Sequence, residues 1–178
     1  MAALPYEKTI EGDRICLKKL GSGNATRDYC SWLNDPEVTL HLVTKKATIE
    51  SVKDYIKKKN ADPNCAFFGI FHKESGRHIG NIKLEPIDFG KKTGILGIMI
   101  GDKDYWGAGI GVEAITLLTE WAFDYLGLES IEAGVLSGNK RSKRAFEKAG
   151  FRVDRVEEKS MENKGKMEDK IIMKASNG

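Results

Sequence analysis

Apolar positions recur along the chain with two different periods, and each change of period marks a change of element. Arg14 to Leu20 reads as a short strand, with Ile15, Leu17 and, more weakly, Lys19 in alternation. Ser22, Asn24 and Thr26 then offer side-chain oxygens that can open a helix running through Leu33, and Asn34-Asp35-Pro36 stops it. Thr48 opens a second helix to about Asn60, because Ile49, Val52, Tyr55 and Ile56 recur at helical spacing. Its Lys57 to Lys59 run lies in the last turn, where cations suit the dipole, and is read as a solvated end. Three short apolar runs follow, Ala66 to Phe71, His78 to Ile87 and Thr93 to Ile100, joined by links short enough for antiparallel hairpins. From Gly109 to Leu126 the stripe of Ile110, Ala114, Leu117, Leu118, Trp121, Ala122 and Tyr125 is helical. Beyond Gly127 come a strand from Ser130 to Leu136, a helix from Asn139 to Ala149 closed by Gly150, and strands near Arg152 to Glu158 and Lys166 to Lys174.

Composition narrows this α/β pattern to an ordinary globular chain. With 178 residues and no linker or repeat, a single domain over residues 1–178 is expected. No apolar run approaches the length of a spanning helix, and residues 1–20 carry no secretory signal, so a cytoplasmic protein without membrane contact is expected. A net charge of +3 is too small and too dispersed for a nucleic-acid-binding face. Cys16, Cys30 and Cys65 are odd in number and widely spaced, so they suit neither a disulfide framework nor zinc. His41, His72 and His78 lack metal-ligand spacing and are read as exposed or loop histidines; no metal is implied.

The strongest local signal is Trp106-Gly107-Ala108-Gly109-Ile110-Gly111, set between an apolar strand and the best-defined helix. Alternate glycines let successive N–H groups converge, and the helix adds its positive end, which suits a phosphate or pyrophosphate. A turn that merely needs positive φ angles is the competing explanation. A dinucleotide fingerprint fails, because Val112 stands where its third glycine belongs, and no Gly-Lys-Ser/Thr follows for a nucleoside triphosphate. About thirty residues downstream, Asn139 can cap the next helix and Ser142 lies in its first turn, while Lys140, Arg141, Lys143 and Arg144 form a cationic rim.

In that order and spacing these residues resemble the GNAT superfamily of acetyl-CoA-dependent N-acetyltransferases, in particular its RimJ/RimL-like branch acting on ribosomal proteins. The likeness spans nearly the whole chain, through Trp32-Leu33-Asn34-Asp35-Pro36-Glu37-Val38, Ile98-Met99-Ile100-Gly101, Tyr105 to Ala114, and Asn139-x-x-Ser142 with Glu147-Lys148-Ala149-Gly150-Phe151. The resemblance implies a GNAT fold of the α/β (α+β) class: a mixed, mostly antiparallel seven-stranded sheet splayed into a V, with flanking helices. It places pantetheine between the strand ending near Ile100 and the strand Ser130 to Leu136, against the backbone of Met99, Ile100 and Gly101. The pyrophosphate would sit on Trp106, Gly107, Ala108, Gly109, Ile110 and Gly111. Trp106 replaces the leading Arg or Gln of the family's loop, and Ala108 a common Lys. Asn139 would contact pantetheine, with Lys143 or Arg144 near the phosphates.

The chemistry implied is direct attack of a primary amine on the thioester in a ternary complex, with a backbone N–H near Ile100 holding the carbonyl oxygen. Where many GNAT enzymes carry a tyrosine acid, this chain has Phe146, so Ser142 is the candidate to protonate the thiolate. Glu85, Asp88 and Glu132 are the candidate bases, Glu85 the one carried forward. The acceptor, a protein N-terminus or a small amine such as an amino sugar, polyamine or drug, would meet the first third of the chain, where Trp32 and Tyr55 can shape a wall. A homodimer is compatible with this reading. The alternatives are an acyl-CoA-binding sensor or scaffold without turnover and, more remotely, a dinucleotide oxidoreductase.

Overall fold

The computed structural model describes residues 7–42 and 45–178. Strands β1 (Ile10–Glu11), β2 (Ile15–Lys19), β3 (Ala66–His72), β4 (His78–Asp88), β5 (Thr93–Ile100), β6 (Ser130–Leu136), β7 (Arg152–Asn163) and β8 (Lys166–Ser176) form one sheet in the order β1-β2-β3-β4-β5-β6-β8-β7. The sheet therefore has eight strands, not the expected seven. The addition is β1, whose two residues pair with Leu17 and Cys16 and are too few to show an alternation. Among the described residues only the β5–β6 pair is parallel.

Helices α1 (Arg27–Asn34) and α2 (Ile49–Ala61) cover one face; α3 (Ile110–Leu126) and α4 (Lys140–Lys148) cover the other. The caps are the residues the sequence offers. Thr26 and Thr48 accept N–H groups from Tyr29 and Ser51, Asn139 accepts from Ser142, and Gly127 closes α3 in the left-handed conformation. The α3 stripe of Ile110, Ala114, Ile115, Leu118 and Ala122 is buried in the larger core. Tyr29, Trp32, Val52 and Ile56 anchor a smaller core on the opposite face.

The feature that positions a site is a failure of pairing. β5 meets β6 only over Thr93, Gly94 and Ile95 against Ser130, Ile131 and Glu132, while β6 stays paired with β8 along its whole length. Past those three rungs the sheet opens into the V. Among the described residues no helix is long and apolar enough to cross a membrane.

Candidate active site

β5 offers the open V a defined set of backbone groups. The Gly101 N–H donates to the Ile79 carbonyl, and the register pairs Gly80 with Ile100 and Asn81 with Met99. In an antiparallel ladder the amides alternate direction, so those of Met99 and Gly101 belong to β4, while those of Ile98 and Ile100 face the opening. The Ile100 carbonyl already accepts the Trp106 indole N–H at 2.8 Å. The unclaimed groups along the expected stretch are thus the Ile100 N–H and both polar groups of Ile98.

A cavity of about 800 Å³ runs from Ile98, Met99 and Ile100 at the open end of β5 to the starts of α3 and α4. Met99, Ile100, Trp106, Gly107, Gly109, Ile110, Gly111, Asn139, Ser142 and Arg144, all singled out in the sequence, line it. Gly101 and Ala108 do not. Gly101 lies against the Trp32 indole, where a Cβ would come within 2.1 Å of the ring. Ala108 instead fixes the loop, its carbonyl accepting the Arg14 guanidinium. Gly107 and Gly109 hold φ angles of 76° and 79°, so the loop does need glycine's conformational freedom, and it also lines a cavity with the α3 N-terminus beside it.

Two residues that hold this loop are not visible in the sequence. Glu113, in the first turn of α3, accepts the Arg14 and Ile15 N–H groups at 2.8 and 3.2 Å and the Arg14 Nε at 3.0 Å. Burial acts to raise the Glu113 carboxyl, but the two amide donors and the guanidinium outweigh it and hold the group below its ordinary range. Only a hydrogen-bond map shows the partnership, because the two residues are 99 positions apart.

On α4 the cationic rim differs from the expected one at a single position. Lys140, Arg141, Arg144 and Lys148 line the cavity, whereas Lys143 turns to Glu147 at 3.3 Å. The Arg141 guanidinium stacks 4.3 Å from the Trp106 ring centroid, which ties α4 to the glycine loop across the mouth. Asn139 both caps α4 and lines the cavity. Phe146 is buried against Phe151 and does not line the cavity.

A second cavity of about 570 Å³ lies on the α1/α2 face, lined by Tyr29, Leu33, Tyr55, Phe67, Asn81 and Lys83 among others. It shares Leu42, Ile98 and Met99 with the first, so the two spaces meet across the end of β5. Tyr55 lines it as expected, while Trp32 belongs to the core. Glu85 lines neither cavity: its two carboxylate oxygens are held by Lys59 and by Lys83, the latter at 2.8 Å. Burial raises this carboxyl, yet the two ammonium groups more than offset it and leave it below its ordinary range. Lys59 is therefore half-buried and paired, not part of a solvated helix end. Asp88 caps a turn through the Lys91 N–H, and Glu132 pairs with Arg155. His41 lies in a turn, within the loop reading, whereas His72 and His78 depart from it, being half-buried in β3 and β4. His78 stacks on Phe71 and bonds Asn81 at 2.8 Å, and burial holds its pKa below the ordinary value.

The sequence model of the acetyltransferase (GNAT) domain matches residues 14–152, which contain both the glycine loop and the V. The chain belongs to the GNAT acetyltransferase family. It is an acyltransferase with acetyl-CoA as donor. The chain is 38% identical over 107 residues to a probable N-acetyltransferase, YjcK, of Bacillus subtilis, a match covering 60% of this chain and 59% of that protein. Among solved structures, the ribosomal-protein-S5-alanine acetyltransferase of Vibrio fischeri superposes with a TM-score of 0.84 at 21% identity, covering 96% of this chain and 97% of that one. The microcin C7 self-immunity acetyltransferase MccE, solved with acetyl-CoA and AMP, gives 0.81 at 20% identity, covering 93% and 94%. These two likenesses extend to the fold, including the splayed sheet.

Proposed function

We propose that this GNAT enzyme moves the acetyl group of acetyl-CoA to a primary amine, on a small molecule or a protein N-terminus, by direct attack within a ternary complex. The carrying observation is that the two cavities meet at Ile98 and Met99, the donor side rimmed by cations and the acceptor side walled by α1, α2 and β4. Pantetheine lies along β5 in place of the missing β6 rungs, the diphosphate sits on the Trp106 to Gly111 turn, and Arg141 and Arg144 meet the phosphates. In this reading Ala108 and Gly101 shape the site without lining it.

The amine nitrogen attacks the thioester carbon while the Ile100 N–H holds the developing oxyanion, a donor typically worth about 3 to 4 kcal/mol. The carbon–sulfur bond then breaks, the nitrogen gives its proton to solvent, and Ser142 passes its hydroxyl proton to the departing thiolate as it takes one from solvent. Alignment of the two substrates contributes roughly 7 to 11 kcal/mol, more than the single donor. Glu85, neutralised by two lysines, serves this scheme by orienting Lys83 and not as the base. Among the described residues no carboxylate or histidine lines the acceptor cavity, while Glu37 and His41 line the donor cavity near the shared Leu42; this scheme gives the amine's proton to solvent. Cys16, Cys30 and Cys65 are buried and line neither cavity, which supports direct attack over a cysteine acyl-enzyme.

Calorimetry with acetyl-CoA, followed by thiol release across a panel of amines, tests this reading. Binding and turnover are expected, with kcat/KM rising with pH toward the acceptor's own pKa. An acetylated protein that forms with acetyl-CoA alone and passes its acetyl group on would overturn direct attack. Phe146, buried where the family's acid stands, favours one second reading, an acyl-CoA sensor. Tight binding with no turnover of any amine would establish it.

A further inference from the structure

The acceptor cavity has a charge bias that bears on its occupant. Its described walls include Lys45, Lys46 and Lys83 and no carboxylate. The nearest acid on the same strand face, Glu85, is shared between Lys59 and Lys83, so that trio retains one net positive charge. A polyamine or another polycation entering here would meet only like charge, which is costly in a partly desolvated space.

Lys83 is placed to be read by a ligand. Register opposes it to Gly97, and a Cβ at Gly97 would lie 3.8 Å from the Lys83 Cε, so the lysine stem crosses the floor where β5 has no side chain. Its Nζ donates to the Tyr55 hydroxyl at 3.2 Å and to Glu85 Oε2 at 2.8 Å. An ammonium has three protons, so one remains for a further acceptor. Burial weakens this charge, but the Glu85 and Tyr55 partners outweigh that and keep Lys83 protonated above its ordinary range.

Gly97 and Met99 are two positions apart on β5, about 7 Å at strand rise. Met99 marks the junction with the donor cavity. We infer that the acceptor is a small amine carrying an anionic group, carboxylate or phosphate, about 7 Å from the reacting nitrogen, with Lys83 as the residue that binds the anion. The inference rests on the acetyltransferase reading above and specifies the substrate class of that site.

The test compares kcat/KM for matched amines: 5-aminopentanoate, 3-aminopropyl phosphate, pentylamine and 1,5-diaminopentane. At least one of the two anionic amines is expected to exceed pentylamine tenfold or more, with the diamine lowest; the better of the two identifies the anion. In Lys83→Glu the order of anion and diamine is expected to invert. In Lys45→Glu, a surface change that does not depend on the Lys83 packing, the anion-to-pentylamine ratio is expected to fall several-fold. Equal turnover of all four amines, a preference for the diamine, or an order unchanged in both variants overturns the inference while leaving acetyl transfer standing. Acetyl-CoA binding without acetylation of any of the four also overturns it, in favour of the sensor. Failure to bind acetyl-CoA removes both proposals.

Discussion

The two cavities that meet at β5 are built from different material. The donor side joins backbone to a cationic rim: amides left over where β6 departs, a turn with two left-handed glycines and the start of α3, faced by Lys140, Arg141, Arg144 and Lys148. The acceptor side is made of side chains projecting from α1, α2 and β4 and from the segment that joins the two helices. Coenzyme A is the same molecule in every reaction of this class, whereas an acceptor is distinguished by the side chains around it. Substitutions should therefore separate into those that act on donor binding and those that act on acceptor choice.

The largest effect is expected on the donor side, at the first turn of α4. Ser142→Ala should lower kcat about a hundredfold with acetyl-CoA affinity retained, as befits loss of a general acid; wild-type turnover would assign Ser142 to the helix end alone. Next is Gly101→Val, which drives a side chain into the Trp32 indole and should cost about 2 to 3 kcal/mol in denaturant unfolding, since the ring and the strand belong to different sides. An unchanged midpoint would show that the two sides are not mechanically joined there. Gly109→Ala, with φ at 79°, should strain the loop by about 1 to 2 kcal/mol. Calorimetry should show weaker acetyl-CoA binding by roughly tenfold, with the relative order of acceptor amines preserved. A change in that order would break the division between the two sides.

The smallest effect concerns His78, behind the acceptor wall. Its folded pKa lies below the unfolded value of about 6.5, so across that interval the unfolded chain holds the extra proton and stability falls as the pH drops. Chemical denaturation from pH 7 to 5 should show this slope in the wild type and a shallower one in His78→Gln.

The same contrast explains what was legible in the sequence. Trp106 to Gly111 could be read because glycine spacing is a direct record of backbone requirement, and α3 because its stripe repeats over several turns. Arg141 could be listed on a charged helix but not chosen over Lys143, since the choice depends on Trp106 lying across the mouth. Glu85 looked like a base because a lone carboxylate on a strand carries no trace of Lys59, 26 residues earlier. Arg14 and Glu113 were silent for the same reason. β1 was missed because two residues cannot display a period.

The three-rung junction between β5 and β6 has a mechanical consequence. The leaf made of β6, β8 and β7 is joined to the rest of the sheet by those few hydrogen bonds and by the packing of α3 and α4. A bound pantetheine arm would then serve as a temporary ninth ribbon that stiffens the hinge, and each departure of free coenzyme would loosen it again. Hydrogen exchange along Ala133 to Leu136 should slow when the coenzyme binds, so that the molecule's rigidity rises and falls once in every catalytic cycle.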